Sequence, residues 1–269
     1  MSAHDKGPLL GQQVSGSESY DPSLLFPVPR ANARSTLRDA RFEGFGEDLW
    51  HAYELSWLSP SGMPQMYTAV LRVPCSSTSI VESKSLKLYL NSLNNHRFAS
   101  AEEARATIEV DVGRVVDAPV SLELFGPDDP AMSGCAVDAQ CLDTLEVAIP
   151  ETPDKARLRA EPGAQMRVCT HLMRSRCPVT DQPDWATVVI ETRGVAAERE
   201  GLLAYLLAYR NHQEFHEQCV ERIYTDLKTQ LAPEFLSVHA LYTRRGGIDI
   251  CPWRCSEPLP APNYRMHRQ

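Results

Sequence analysis

The chain has 269 residues, of which 43% are hydrophobic and 23% charged, an ordinary globular composition that excludes disordered and fibrous classes. Its 27 basic and 35 acidic residues leave a formal charge of −8, which argues against a general electrostatic grip on nucleic acid or anionic membrane. Eight scattered cysteines are too few for a disulfide scaffold. The most apolar stretch, Leu202 to Tyr209, falls far short of a membrane span and the N-terminus lacks a signal core, so a soluble cytoplasmic protein is expected.

In chain order, residues 1–40 are polar and punctuated by Pro22, Pro27 and Pro29, an extended lead-in. Trp50–Leu58 and Met66–Val73 are predicted strands around a Ser-Pro-Ser-Gly turn at 59–62. A helix is predicted from near Ser79, with Ser79 and Glu82 at capping-box spacing and Leu86, Tyr89, Leu90 and Leu93 on one stripe. A second helix follows over Ala101–Val112, then a strand over Val120–Phe125 and a Gly/Pro/Asp-rich connector over 126–142. The second half repeats this order. Strands are predicted at Val168–Met173 and Trp185–Thr192, a helix at Glu198–Tyr209 and another with Phe215, Cys219, Val220, Ile223 and Leu227 on its apolar face. Closing strands at Leu236–Tyr242 and Ile248–Ile250 flank the turn 244–247.

Overlaid at an offset of 116, the halves are identical at six of the 15 positions 82–96: Glu82/Glu198, Leu86/Leu202, Tyr89/Tyr205, Leu90/Leu206, Asn95/Asn211 and His96/His212. Random pairing would give about one. The pattern predicts a duplicated strand–strand–helix–helix–strand–strand unit. The copies differ where Ser100 and Ala101 face His216 and Glu217, and where Ser83 and Lys84 face Arg199 and Glu200.

Four segments carry candidate chemistry. Cys177 is followed by Pro178, with Asp184 seven residues on after Pro183, a loop able to hold a thiol and a carboxyl at one site. Only about 3% of an unperturbed thiol is thiolate at pH 7, so a nucleophile needs activation, from Arg176 or an imidazole. A buried small hydrophobe and a turn residue are the bland alternative, favoured by pattern alone. His212 and His216 lie four apart with Glu217 and Cys219 nearby, but Gln213 stands where a zinc-protease motif needs Glu, so zinc is weakly supported. His216 and Glu217 are the better functional candidates because the first copy lacks them, although a polar helix face has the same composition. Glu82 is either a helix cap or a pair of acceptor oxygens for a heterocycle, and Lys84 and Lys87 share a face that is either solvated or phosphate-binding. Arg244-Arg245-Gly246-Gly247 is either an exposed turn or a phosphate contact. No GxGxxG occurs, which removes support for a Rossmann site.

Together these segments resemble the NADPH-dependent 7-cyano-7-deazaguanine reductases, the QueF family of queuosine biosynthesis. Glu82-Ser83-Lys84-Ser85-Leu86-Lys87-Leu88-Tyr89 is similar to the family signature, and Cys177-Pro-Val-Thr with Gln182-Pro-Asp184-Trp185 to its nucleophile loop. Phe215-His216-Glu217 and Arg244-Arg245-Gly246-Gly247 resemble its substrate and cofactor segments. The similarity spans most of residues 45–258, in the order of the long two-module subgroup. Asp181 stands where Gly is expected and Cys251 where Asn is expected.

The resemblance implies an α+β fold of tandem tunnelling-fold (ββααββ) modules whose antiparallel sheets form a barrel on oligomerisation, as a homodimer. The implied division is a lead-in over 1–40, an N-terminal module over 41–145 and a C-terminal module with the catalytic Cys over 146–269. It implies that Glu82 and Glu217 grip a deazapurine substrate lined by Val81, Ser83 and His216, and that NADPH contacts Ser83, Lys84, Arg245 and Gly246. Cys177 is the implied nucleophile and Asp184 the acid, with His216 a further proton source and no metal. Family geometry also suggests a protective disulfide between Cys177 and Cys219. The competing readings are a zinc-dependent pterin or purine hydrolase and a non-catalytic deazapurine- or RNA-binding protein; direct nucleic-acid binding is disfavoured by the acidic charge.

Overall fold

The computed structural model describes residues 19–37, 41–162 and 165–269. Much of the predicted lead-in, 1–18 and 38–40, lies outside the described residues. The chain divides into two compact units. One holds 19–31, Leu49–Ser133 and Arg244–Asp249, and the other Asn32–Asp48, Gly134–Thr243 and Ile250–Gln269.

In the first unit, strand β1 (Pro27–Pro29) precedes the short helix α1 (Arg30–Arg34), which begins there. Strand β2 (Phe45–Leu58) enters the unit at Leu49 and neighbours β3 (Pro64–Pro74). Then come β4 (Ser79–Val81), helices α2 (Ser83–Ser92) and α3 (Ala101–Val116), and β5 (Ser121–Phe125), which pairs antiparallel with β3 from Thr68↔Phe125 to Arg72↔Ser121. The helix predicted from Ser79 therefore starts four residues later. Ile80 and Val81 are β-branched, and β4 pairs with β1 at Val28↔Ile80 and Pro27↔Val81, so strand pairing takes the residues that cap spacing assigned to a helix. Leu86, Tyr89, Leu90 and Leu93 are buried as the stripe requires.

The second unit contains β6 (Gln140–Cys141), β7 (Ala160–Pro162), β8 (Met166–Arg176), β9 (Pro183–Arg193), β10 (Val195–Ala197), α4 (Arg199–Leu207), α5 (His216–Leu231), β11 (Phe235–Tyr242) and β12 (Ile248–Cys255), the last joining it at Ile250. Its sheet runs β12–β11–β9–β8–β6. β11 pairs antiparallel with β9 and with β12, and β8 with β9. β6 lies parallel to β8, so the sheet is mixed rather than purely antiparallel: the chain reaches β8 from β6 through a long connection, not a hairpin. Ala186, Val188, Ile190, Leu236, Val238 and Ala240 alternate along β9 and β11 into one apolar core with α4 and α5. α4 is buried from Leu202 to Leu207, the pattern of a helix covered on all sides.

Several features recur between the units. Leu58 N–H donates to His96 O at 2.8 Å, and Arg176 N–H donates to His212 O at 2.9 Å. Tyr89 donates to Asp111 at 2.8 Å, and Tyr205 to Asp226 at 2.7 Å. Glu82 and Glu198 both occupy helix N-cap positions. The matched histidines thus offer their backbone carbonyls to the end of a strand, a structural duty that needs no imidazole chemistry. Burial drives the phenols of Tyr89 and Tyr205 far above their ordinary range, so both stay neutral hydrogen-bond donors.

Candidate active site

The second unit sets Cys177 at one end of a short loop and, at the other, pairs Asp184 with His216. β8 ends at Arg176, and the chain closes a small hoop before β9: Cys177 N–H donates to Gln182 O at 2.9 Å and Asp181 N–H to Cys177 O at 3.0 Å. Residues 178, 179, 181, 182 and 183 of the hoop are exposed, whereas Cys177 and Asp184 at its two ends are buried. Asp181 has φ +58°, a left-handed conformation that glycine adopts most readily and Asp tolerates. That accounts for the glycine expected there. The Asp181 carboxylate is occupied by Arg176 and by Gln213 Nε2 at 2.7 Å. Arg176, a candidate activator of the thiol, is thus engaged within the hoop.

Asp184 is the second residue of β9 and stands opposite Ser175 on β8, two residues before Cys177. Its Oδ2 lies 3.3 Å from Nε2 of His216, the first residue of α5. His216 also stacks on the ring of Tyr242 at the end of β11, with centroids 3.8 Å apart and planes 18° from parallel. Burial and the neighbouring Cys219 and Asp184 push the Tyr242 phenol well above its usual range, so it serves as a neutral platform. In the sequence Tyr242 is the last residue of the predicted strand Leu236–Tyr242, a position that gives no sign of the stack.

Glu217, the next residue of α5, is only 2% exposed, which is rare for a carboxylate. Cys219 is fully buried and its thiol is driven well above the ordinary range, chiefly by desolvation. Cys177 and Cys219 are both free thiols, so the suggested disulfide is not formed. Among the described residues, no cluster with metal-ligand geometry contains His212, His216 or Cys219.

The first unit positions the other predicted residues. Val81 ends β4 and is buried. Glu82 is the N-cap of α2, accepting from Lys84 N–H at 2.9 Å and Ser85 N–H at 2.8 Å. The capping reading of this residue is thus realised in the free chain, and its carboxylate is held rigidly in a fully buried position. Ser83 and Lys84, partly exposed, form the first turn beyond it. Beside this helix lies the exposed turn of Arg244, Arg245 and Gly246: Lys87 Nζ donates to Gly246 O at 2.6 Å, and the Arg244 guanidinium sits 4.2 Å above the Tyr53 ring. Behind the turn, Asp249 holds His51 Nδ1 at 2.6 Å and accepts from Tyr53 Oη at 2.5 Å.

Two glycines in the left-handed region, at φ +59° for Gly246 and +81° for Gly247, let Lys87 and Glu54 approach the turn backbone. A Cβ on Gly246 would stand 2.8 Å from Lys87 Cδ and Nζ. Lys84, Lys87, Arg244 and Arg245 thus gather around a surface without side-chain bulk, a donor set that fits a phosphate-bearing dinucleotide. Gly246→Ala is expected to push Lys87 away from the turn and weaken binding of a phosphate-bearing dinucleotide several-fold, as measured by fluorescence titration.

Residues 17–124 match the model described as nitrile reductase, 7-cyano-7-deazaguanine-reductase N-term, and residues 183–260 match that of a QueF-like protein. Proteins called NADPH-dependent 7-cyano-7-deazaguanine reductase are similar along nearly the whole chain. That of Stenotrophomonas maltophilia (strain K279a) is 47% identical over 268 residues, 97% of each chain. That of Xanthomonas campestris pv. campestris (strain 8004) is 48% identical over 259 residues, 94% of each. That of Chromohalobacter salexigens is 46% identical over 279 residues, covering all of both. On these matches the chain belongs to the NADPH-dependent 7-cyano-7-deazaguanine reductase family.

Proposed function

We propose that the chain reduces the nitrile of 7-cyano-7-deazaguanine to an aminomethyl group, in queuosine biosynthesis, by way of a thioimide on Cys177. The reduction is the activity its family is named for. What supports the covalent route is the contact between Asp184 and His216 at the end of the loop that carries Cys177. The Cys177 thiolate adds to the nitrile carbon: an S–C bond forms, one C≡N π pair moves to nitrogen, and that nitrogen takes a proton from Asp184. NADPH, when bound, supplies a hydride in each of two rounds, four electrons in all. After the first round the carbon expels the Cys177 thiolate as an imine, and in the second the nitrogen takes a proton relayed through His216. Glu82 and Glu217 accept from the exocyclic amine and ring N–H groups of the deazapurine, while Val81, Ser83 and His216 line it. Ser83, Lys84, Arg245 and Gly246 would hold NADPH, the source of hydride.

Asp184→Asn keeps the shape and removes the acid. Turnover should fall by about 10²–10⁴-fold with little change in thermal stability. Full activity in that variant, measured as NADPH oxidation, would assign the proton to another group. A metal-dependent hydrolase or a silent binding protein is not the family to which the chain belongs.

The assembly we infer is a homodimer of chains with two tunnelling-fold modules each, over 41–145 and 146–269, closing a barrel between copies. The recurrence of the Tyr–Asp pair and of the His carbonyl contact supports the duplication. Light scattering should give twice the chain mass of 30.0 kDa; a monomer at working concentration would refute the dimer. Among the described residues no helix is long and apolar enough to cross a membrane, and a cytoplasmic site of action fits the small-molecule reductant.

A further inference from the structure

A second cluster of reactive side chains stands apart from the nitrile chemistry. Cys141 on β6 is directly opposite Cys169 on the parallel strand β8, and His171 follows Cys169 by two residues, at a break in the pairing of β8 with β9. One ligand atom from each of the three lies within 4.8 Å of both others. Cys141 is exposed, Cys169 is buried at 4% and His171 is intermediate, so the group is open on one side.

We propose that Cys141, Cys169 and His171 bind a soft divalent cation of the zinc type, with water completing the coordination. Zn–S bonds of about 2.3 Å place two sulfurs roughly 3.8 Å apart across a tetrahedron, a small contraction from the observed limit that side-chain rotation supplies. The surroundings fix the ligands as an outer shell does. His171 Nδ1 is 2.9 Å from Thr187 Oγ1, which orients the ring. Asp143 accepts from Thr170 Oγ1 at 2.6 Å and from the His171 N–H at 3.1 Å, so the strand between the two ligands is clamped by a carboxylate. Binding releases the two thiol protons to solvent and involves no change of oxidation state. A disulfide between Cys141 and Cys169 would leave the imidazole without a role; a metal ion uses all three. The ion would fasten β6, a two-residue strand at the sheet edge, to β8, and so anchor the connector that precedes it.

The test is a Co²⁺ titration of metal-free, reduced protein followed by absorbance. A thiolate-to-cobalt charge-transfer band and tetrahedral d–d bands should appear, saturate at one equivalent and vanish on addition of Zn²⁺. Cys177→Ala should keep these bands. Cys141→Ser, a change at an exposed site that spares the fold, should abolish them at one equivalent, and His171→Ala should shift the d–d bands. Absence of any thiolate–cobalt band overturns the proposal, as do bands that survive Cys141→Ser. Recovery of Cys141 and Cys169 as a disulfide from reduced protein overturns it equally.

Discussion

On the covalent route proposed, Cys177→Ala should abolish both turnover and covalent capture: intact mass after incubation with 7-cyano-7-deazaguanine should stay that of the free chain, and NADPH oxidation should fall by at least about four orders of magnitude. The size follows from the chemistry. A nitrile is a poor hydride acceptor, and addition of sulfur converts it to a protonatable C=N centre before any hydride arrives. Without the sulfur the donors that remain can orient the substrate but cannot make that conversion. Loss of one buried thiol has a small structural cost, so the variant should fold and still bind the deazapurine. An adduct persisting in Cys177→Ala would place the nucleophile elsewhere and remove the role assigned to the loop.

Arg254→Met should lower stability by about 3–5 kcal/mol, on the order of 10 °C in Tm. Arg254 is fully buried, with Nη1 2.7 Å from Asp48 Oδ1 and Nη2 2.9 Å from Glu221 Oε1. Glu221 in turn accepts from Nε and Nη2 of Arg34, each at 2.8 Å. Asp48 and Glu221 are 1% and 3% exposed, so removing the shared cation strands negative charge where water cannot reach it. Arg105 provides the contrast. It pairs with Glu102 and Glu109 at i,i+3 and i,i+4 spacing on the surface of α3, and Arg105→Gln should leave Tm close to that of the unmodified chain. Equal Tm shifts for the two variants, measured by thermal denaturation, would show that the buried network carries no more than a surface pair.

The sequence made the helices and most strands legible because apolar periodicity is imposed by burial itself. Its errors have particular causes. The closing strand was predicted at 248–250 and runs to Cys255, because Pro252 reads as a strand terminator. Beyond Pro252 the strand continues because Trp253, Arg254 and Cys255 pair with His239, Val238 and Ser237 of β11. Arg254 gave no hint of its environment, since charged residues are expected on surfaces. The start of α2 was misplaced because cap spacing is a two-residue signal, whereas strand pairing with Pro27–Pro29 depends on residues some 50 positions away.

The candidate site was legible in its residue types and not in its contacts. Nothing in the spacing of Asp184 and His216 requires that they meet; the meeting is made by β8 pairing with β9 and by α5 beginning where it does. Asp181 stands where the resemblance expects Gly, and its left-handed backbone shows why a glycine suits that position, while Asp184 is the carboxylate that meets the imidazole. The doubled Tyr–Asp pairs went unseen because the tyrosines match at an offset of 116 while Asp111 and Asp226 are 115 apart, one residue out of step.

The face-to-face packing of His216 on Tyr242 has a kinetic corollary. To exchange its two nitrogens, the imidazole would have to sweep edge-on through the volume that the phenol ring fills. The stack therefore resists rotation of the imidazole and favours the orientation in which Nε2 faces Asp184. A side chain smaller than Tyr at 242 would remove that resistance and let either nitrogen face the carboxylate.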